Sequence, residues 1–146
     1  MSRILHPTDF SPASRAAFAK AVQLAKKDRS ELVIAHVLGP VVTAVDGYGF
    51  ISPKVYEQVE AANRQHGKKR LDALLGKARK AGARARGLLL EGLVHEQIVR
   101  AARAQRADMI VIGTHGRTGI ARLVIGSVAS RVVAHAKCPV LTVSGK

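Results

Sequence analysis

The stretch from Gly113 to Ser127 carries the residue types best suited to holding an anion. It opens as Gly113-Thr114-His115-Gly116-Arg117-Thr118-Gly119, and Gly126-Ser127 follows ten residues after Gly116. Gly113 and Gly116 remove side chains where a backbone must approach a ligand closely. Bare N–H groups and a following helix N-terminus favour an anion. Arg117 adds a forked donor suited to phosphate. A Gly-Ser pair inside a helix is unfavourable. It fits better if the glycine loop is long and the helix begins near Ser127, with the Ser127 hydroxyl as cap or ligand. Two glycines alone amount to an ordinary strand-to-helix turn. The complete spacing Gly-x2-Gly-x9-Gly-Ser is rarer. With glycine at about 7% of residues, a chance match in such a chain is on the order of one in a hundred or less.

Other polar residues gather after apolar runs. Pro7-Thr8-Asp9-Phe10-Ser11 supplies an acid and hydroxyls, and Gly39-Pro40 follows a second run. Asp9 or Thr8 could equally cap a helix that opens near Ser11. His115 lies in the glycine loop and suits contact rather than catalysis. His36 ends a strand and reads as a hydrogen-bonded core histidine. His6, His66, His95 and His135 show no metal-ligand spacing and read as structural or exposed. Glu31 and Glu91 form no acid–base pair. Cys138 precedes Pro139 and reads as a packed thiol. A single cysteine excludes an internal disulfide framework and a cysteine-rich zinc site.

The elements that must position these groups alternate along the chain. Apolar runs at 3–6, 31–37, 86–90, 109–112 and 139–143 are separated by helical patterns at about 12–27, 53–81, 94–105 and 120–136. The runs are continuous rather than alternating, as in strands buried on both faces. Strands spaced by helices imply βαβ units and a parallel sheet. Ligands in such sheets bind beyond the carboxyl ends of the strands, where the strand order reverses. Ser11-Pro12 and Ser52-Pro53 each place a capping hydroxyl before a proline at the first helical position. Gly82 is suited to ending the second helix in a left-handed conformation. Leu71, Leu74, Leu75 and Ala78 make one apolar stripe on that helix, and Gly67 and Gly76 are weak points where it could break. Residues 39–52 read as a long loop.

Composition sets the outer bounds. The 146 residues suit one domain, 1–146, and 47% are apolar, so a globular core is expected rather than disorder. Aromatics are 3%, with no tryptophan, which gives an aliphatic core and few platforms for base stacking. No apolar run is long enough for a membrane helix, and the N-terminus lacks a long apolar signal region, so a cytosolic, cytoplasmic protein is expected. The formal net charge is +14, an excess that attracts polyanions. Runs such as Lys68-Lys69-Arg70 and Lys77-Ala78-Arg79-Lys80 read first as solvated helix faces.

With these residues in view, the chain resembles the universal stress proteins of the branch that binds ATP. Gly113-x2-Gly116-x9-Gly126-Ser127 matches that family's nucleotide motif without a gap, and Pro7-Thr8-Asp9-Phe10-Ser11 matches its opening loop. His36-Val37 matches the end of its second strand. Gly92 to Val99 resembles its third-helix entry, and Cys138 to Val143 its closing strand. The likeness covers nearly the whole chain, least clearly residues 39–62. It implies an α/β fold of the Rossmann-like, adenine nucleotide alpha hydrolase-like type. This is a single open parallel five-stranded sheet in order 3-2-1-4-5, with helices on both faces. It implies that Pro7, Thr8 and Asp9 belong to the cofactor site, with Asp9 accepting a hydrogen bond from the ribose or lying close to it, and that the Val37 backbone holds the adenine edge. Gly113, His115, Gly116 and Arg117 would wrap phosphates and ribose, and Gly126, Ser127 and Val128 would donate to the terminal phosphates. The cofactor implied is ATP, with ADP or AMP as alternatives, and Mg²⁺ or Mn²⁺ held mainly by phosphate oxygens. A homodimer through strand 139–143 and a role in stress response follow from the same likeness.

Rival functions leave weaker traces. There is no G-x-x-x-x-G-K-[ST], no G-x-G-x-x-G after a strand and no G-x-S-x-G. His-Ile-Gly-His and Lys-Met-Ser-Lys-Ser signatures of adenylyl transfer are also missing. A robust enzyme is not expected. The alternatives are a slow ATPase or phosphotransfer enzyme, with Asp9 or His115 as the base, and a basic nucleic-acid-binding protein.

Overall fold

The computed structural model describes residues 1–39, 52–115 and 125–145. Its elements are β1 (Arg3–Pro7), α1 (Pro12–Asp28), β2 (Glu31–Leu38), α2 (Pro53–Lys80), β3 (Arg84–Glu91), α3 (Val94–Ala104), β4 (Met109–Gly113), α4 (Ser127–His135) and β5 (Val140–Val143). All the strand pairs are parallel, and the sheet order is β3-β2-β1-β4-β5. This is the expected architecture. The chain steps outward from β1 to β3, then returns to place β4 on the far side of β1. The order therefore reverses between β1 and β4, and a crevice opens beyond their carboxyl ends.

The continuous apolar runs arise because both faces of the central strands are covered. Ile4, Leu32, Ile34 and Val111 pack with Ala17 and Ala21 of α1 and with Leu71 and Leu75 of α2. Their neighbours Leu5, Val33, Ala35 and Ile110 pack on the other face with Ile98 and Ala101 of α3 and with Ala129 and Val132 of α4. Alternate residues along one strand thus feed two separate cores. The outer strands β3 and β5 are half-buried.

The helix starts follow their predicted caps. Ser11 Oγ accepts from Ser14 N at 3.3 Å, and Ser52 Oγ from Val55 N at 3.2 Å. Gly82 adopts φ +99° just beyond α2, the left-handed exit expected of it. The suspected break in α2 does not occur: the helix runs unbroken through Gly67 and Gly76 for 28 residues. Gly67 is buried, and a Cβ there would come within 3.1 Å of Leu38 Cδ2 and 3.3 Å of His36 Cδ2. Close packing on β2 offsets the poor helix propensity of glycine. The last helix starts at Ser127, as the long-loop reading required, rather than at 120. Residues 120–124, and most of the long loop at 39–52, lie outside the described residues.

One core position is polar. His6 of β1 is fully buried and sits beside Phe18, with ring centroids 6.0 Å apart. Its Nδ1 lies 2.8 Å from the Val111 carbonyl, so Nδ1 carries the proton and donates. Its Nε2 has no partner among the described residues. Burial lowers the His6 pKa from 6.5 to about 4, with the Val111 bond and the Asp9 charge pulling the other way. The ring is therefore neutral at physiological pH.

Candidate functional site

The turn after β1 is built from its own hydroxyls. Thr8 N donates to the Ala35 carbonyl at 2.8 Å, tying the turn to β2. Thr8 Oγ1 accepts from Phe10 N at 3.0 Å and meets Ser14 Oγ at 3.2 Å. Its hydroxyl is thus committed within the turn. Asp9 Oδ1 accepts from Ser11 N at 2.9 Å, an Asx turn that leads into the helix, while the cap itself is Ser11 rather than Asp9 or Thr8. His36 Nδ1 donates to the Thr8 carbonyl at 2.8 Å, as a hydrogen-bonded core histidine should. These bonds hold Phe10 at φ +62°, a conformation that bulky residues rarely adopt. The Phe10 ring packs 4.4 Å from His36, and the Arg70 guanidinium lies 5.1 Å from its centre.

Across the reversal point, β4 delivers Gly113, Thr114 and His115. Thr114 N donates to the Val143 carbonyl at 3.0 Å, and Thr114 Oγ1 lies 2.9 Å from His115 Nδ1. The chain returns at Gly126, whose N–H donates to the Thr114 carbonyl, and α4 begins. Gly126 has no side chain with which to cap α4. The N–H groups of the first turn, which no intrahelical carbonyl can reach, border the crevice at Ser127, Val128 and Ala129. The positive end of the helix dipole lies there too.

The two glycines have a structural reason that spacing alone did not show. A Cβ on Gly126 would come 2.9 Å from the Thr114 carbonyl oxygen. One on Gly113 would come 3.3 Å from the Ala13 carbonyl oxygen at the start of α1. Both close contacts are with main chain. The glycines thus let α1, the end of β4 and the start of α4 converge, and the convergence brings free amides to the rim.

The crevice is a cavity of about 790 Å³. Pro7, Thr8, Asp9, Val37, Gly113, His115, Gly126, Ser127 and Val128 all line it. Every predicted site residue within the described segments is therefore brought to one place. Gly116 and Arg117 lie outside the described residues.

One wall was missed by sequence reasoning. Tyr56, Glu60, Asn63, Gly67 and Arg70 of α2 line the crevice on the β2–β3 side. Their steps of 4, 3, 4 and 3 residues mark one helix face, and that stripe was the available signal. Arg64 pairs with Glu91 at the same end, with Glu60 4.0 Å away. Free amides lie at the α4 end of the cavity, Val37 and Ile112 between, and an α2 wall of mixed charge, with Glu60 and Arg70, at the other end. Such a site suits an elongated ligand with one anionic end. Among the described residues, no group of three or more His, Cys, Asp or Glu could hold a metal ion.

Known proteins share this fold. The profile of the Universal stress protein family matches residues 1–144. The chain belongs to the universal stress protein family. A universal stress protein of Methanocaldococcus jannaschii is 34% identical over 143 residues, covering 97% of this chain and 81% of the relative. One from Thermus aquaticus is also 34% identical, with 96% of each chain covered. Among solved structures, universal stress protein UspA from Lactobacillus plantarum superposes with a TM-score of 0.83 at 26% identity, covering 97% of both chains. A universal stress protein solved in complex with cAMP superposes with a TM-score of 0.69 at 25% identity, covering 99% of this chain and 98% of that one. For this universal stress protein, no described helix is long and apolar enough to cross a membrane.

Proposed function

We propose that this universal stress protein binds an adenine nucleotide, ATP with Mg²⁺ or Mn²⁺, in the crevice between β1 and β4, and works as a nucleotide-responsive module in stress resistance. The observation that carries this reading is the uncapped start of α4. Its free amides meet the cavity where Gly126 lets β4 and α4 approach. That feature matches the chemistry of a phosphate group, which needs several N–H donors and a positive dipole end. Gly126, Ser127 and Val128 take the terminal phosphates. Gly113, His115, Gly116 and Arg117 take the remaining phosphates and the ribose, with Gly116 and Arg117 assigned on their motif positions. Pro7, Thr8 and Asp9 lie by the ribose, and the Val37 backbone takes the adenine edge. The relative solved with cAMP supports an adenine ring as the body of the ligand. The divalent ion would be held mainly by phosphate oxygens. Equilibrium dialysis of the protein against Mg-ATP is expected to show saturable binding at micromolar to low millimolar nucleotide. No uptake at millimolar nucleotide removes the proposal.

The same reading includes a homodimer through Val140, Leu141, Thr142 and Val143. β5 is the last strand of the sheet and is half-buried, so its outer edge is open to pairing. Sedimentation velocity at micromolar protein is expected to report twice the chain mass of 15.5 kDa. A single species of one chain mass removes the dimer and leaves the nucleotide site standing.

A further inference from the structure

The basic residues are not spread evenly. In a parallel sheet with returning helices, all strand starts and helix ends share one edge of the molecule, opposite the crevice. α1 ends there with Lys26 and Lys27, followed by Arg29. α2 ends there with Arg79 and Lys80, and β3 begins with Arg84. These segments touch. Lys26 Cε lies 3.4 Å from where a Cβ on Gly82 would stand, and Arg84 Nη2 donates to the Arg29 carbonyl at 2.7 Å. All six cations are exposed. Arg103 and Arg106, around the end of α3, continue the surface on the other side of the sheet, because Gln105 between them accepts from Arg3 and Arg86.

The acids at this end do not balance them. Glu31 is held between Arg3 Nε at 2.9 Å and Arg86 Nε at 3.0 Å. Asp108 accepts from Ser2 N at 2.8 Å and Arg3 N at 2.9 Å. Asp28 is the remaining acid among the described residues here. Cations at helix C-termini are individually favourable through the helix dipole. That local effect explains one or two per helix, and it does not explain Arg29, Arg84 and Arg106, which lie outside the helices.

We propose that this end of the molecule is a docking surface for the phosphate backbone of a nucleic-acid duplex. The surface offers long, exposed cations from three helix ends and their adjoining turns, and duplex backbones present a regular row of negative charges. The contacts proposed are to phosphates, which position a duplex and carry no sequence information themselves. A membrane surface fits less well. Of the exposed large apolar residues, Val55, Tyr56, Val59, Leu93 and Ile125 lie at helix starts, leaving only Met1 and Val133 toward this end.

The test is fluorescence anisotropy of the full chain with a labelled duplex of about two helical turns, titrated from about 50 to 200 mM salt. The parent protein is expected to bind with a steep fall in affinity as salt rises. A Lys26→Gln/Lys27→Gln/Lys80→Gln variant is expected to bind at least about tenfold more weakly at low salt, with a log–log salt slope shallower by about 3, near one per lost phosphate contact. A control variant, Arg15→Gln/Lys54→Gln/Lys68→Gln, removes the same charge from exposed sites away from the C-terminal helix ends and is expected to keep the parent slope. Equal losses in both variants would show that only net charge matters and would overturn the proposal. So would failure of the parent to bind duplex at low salt, or tighter binding to phosphatidylserine vesicles than to duplex. Dialysis of the first variant against Mg-ATP is expected to match the parent, so the duplex surface and the nucleotide crevice stand or fall separately.

Discussion

Replacing Gly126 with valine is expected to lower Mg-ATP affinity by about 100-fold or more, a loss of about 3 kcal/mol. The reason is steric and indirect. The added Cβ alone would stand 2.9 Å from the Thr114 carbonyl oxygen, a main-chain atom that cannot rotate away. The start of α4 must then separate from the end of β4, and the amides of Ser127 and Val128 move off the crevice rim. A β-branched residue cannot relieve the contact through its own rotamers. Binding is read by equilibrium dialysis, and circular dichroism checks that the variant is folded. Ser127→Ala provides a second reading: it removes one hydroxyl, keeps every amide, and is expected to weaken binding by no more than about tenfold. A folded Gly126→Val protein with parent affinity would contradict the assignment of phosphates to α4.

The second large effect is on stability in mild acid. His6 is neutral and fully buried in the folded chain, with its pKa lowered to about 4, whereas the unfolded chain titrates at the ordinary value of 6.5. Below pH 6.5 the unfolded state takes up a proton that the folded state refuses. Stability is therefore fully present above pH 6.5 and falls progressively as pH drops toward 4. At about 1.4 kcal/mol per pH unit, the loss across that window is about 3 kcal/mol. The carboxyls of Asp108 and Glu31 are both held below their usual range. Hydrogen bonds from Ser2 and Arg3 act on Asp108, while on Glu31 the Arg86 and Arg3 interactions outweigh a desolvation that acts the other way. Their contributions are lost mainly below pH about 4, outside most of the His6 window. Urea unfolding at pH 7 and pH 4.5 reads the effect. A His6→Leu variant, which cannot titrate, is expected to lose much less stability over this interval. An equal acid loss in both proteins would show that His6 is not the group responsible.

Much of this architecture was legible because the local signals agreed. Residues 31–37 and 109–112 are continuous apolar runs for a physical reason: one face of each strand meets α1 and α2, the other α3 and α4. Ser11-Pro12 and Ser52-Pro53 marked helix starts to the residue. Gly126-Ser127 disclosed the start of α4, because that pair is a poor helix interior and a good helix entrance. The losses have equally specific causes. The stripe Tyr56-Glu60-Asn63-Arg70 is polar, and a polar helix face looks the same whether it borders water or a cavity. Gly67 read as a weak point because propensity is local, whereas its contact with Leu38 and His36 is tertiary. His6 read as structural or exposed; one histidine inside a short apolar run does not decide between the two, and the structure buries it beside Phe18 of α1. The basic runs were correctly read as exposed. What linear order hid is that the separate segments 26–29, 79–84 and 103–106 bring their cations to one edge.

The crevice and the basic edge make opposite demands on a polyanion such as ATP, and one measurement separates them. Amide NMR spectra of the 15.5 kDa chain, recorded during titration with Mg-ATP, locate the nucleotide directly. The account predicts that the largest shifts fall on Asp9, Val37, Gly113, His115, Ser127 and Val128, saturating together, while amides around Lys27, Lys80 and Arg84 stay nearly still. Shifts centred on the basic edge, with the β1–β4 crevice unmoved, would contradict it.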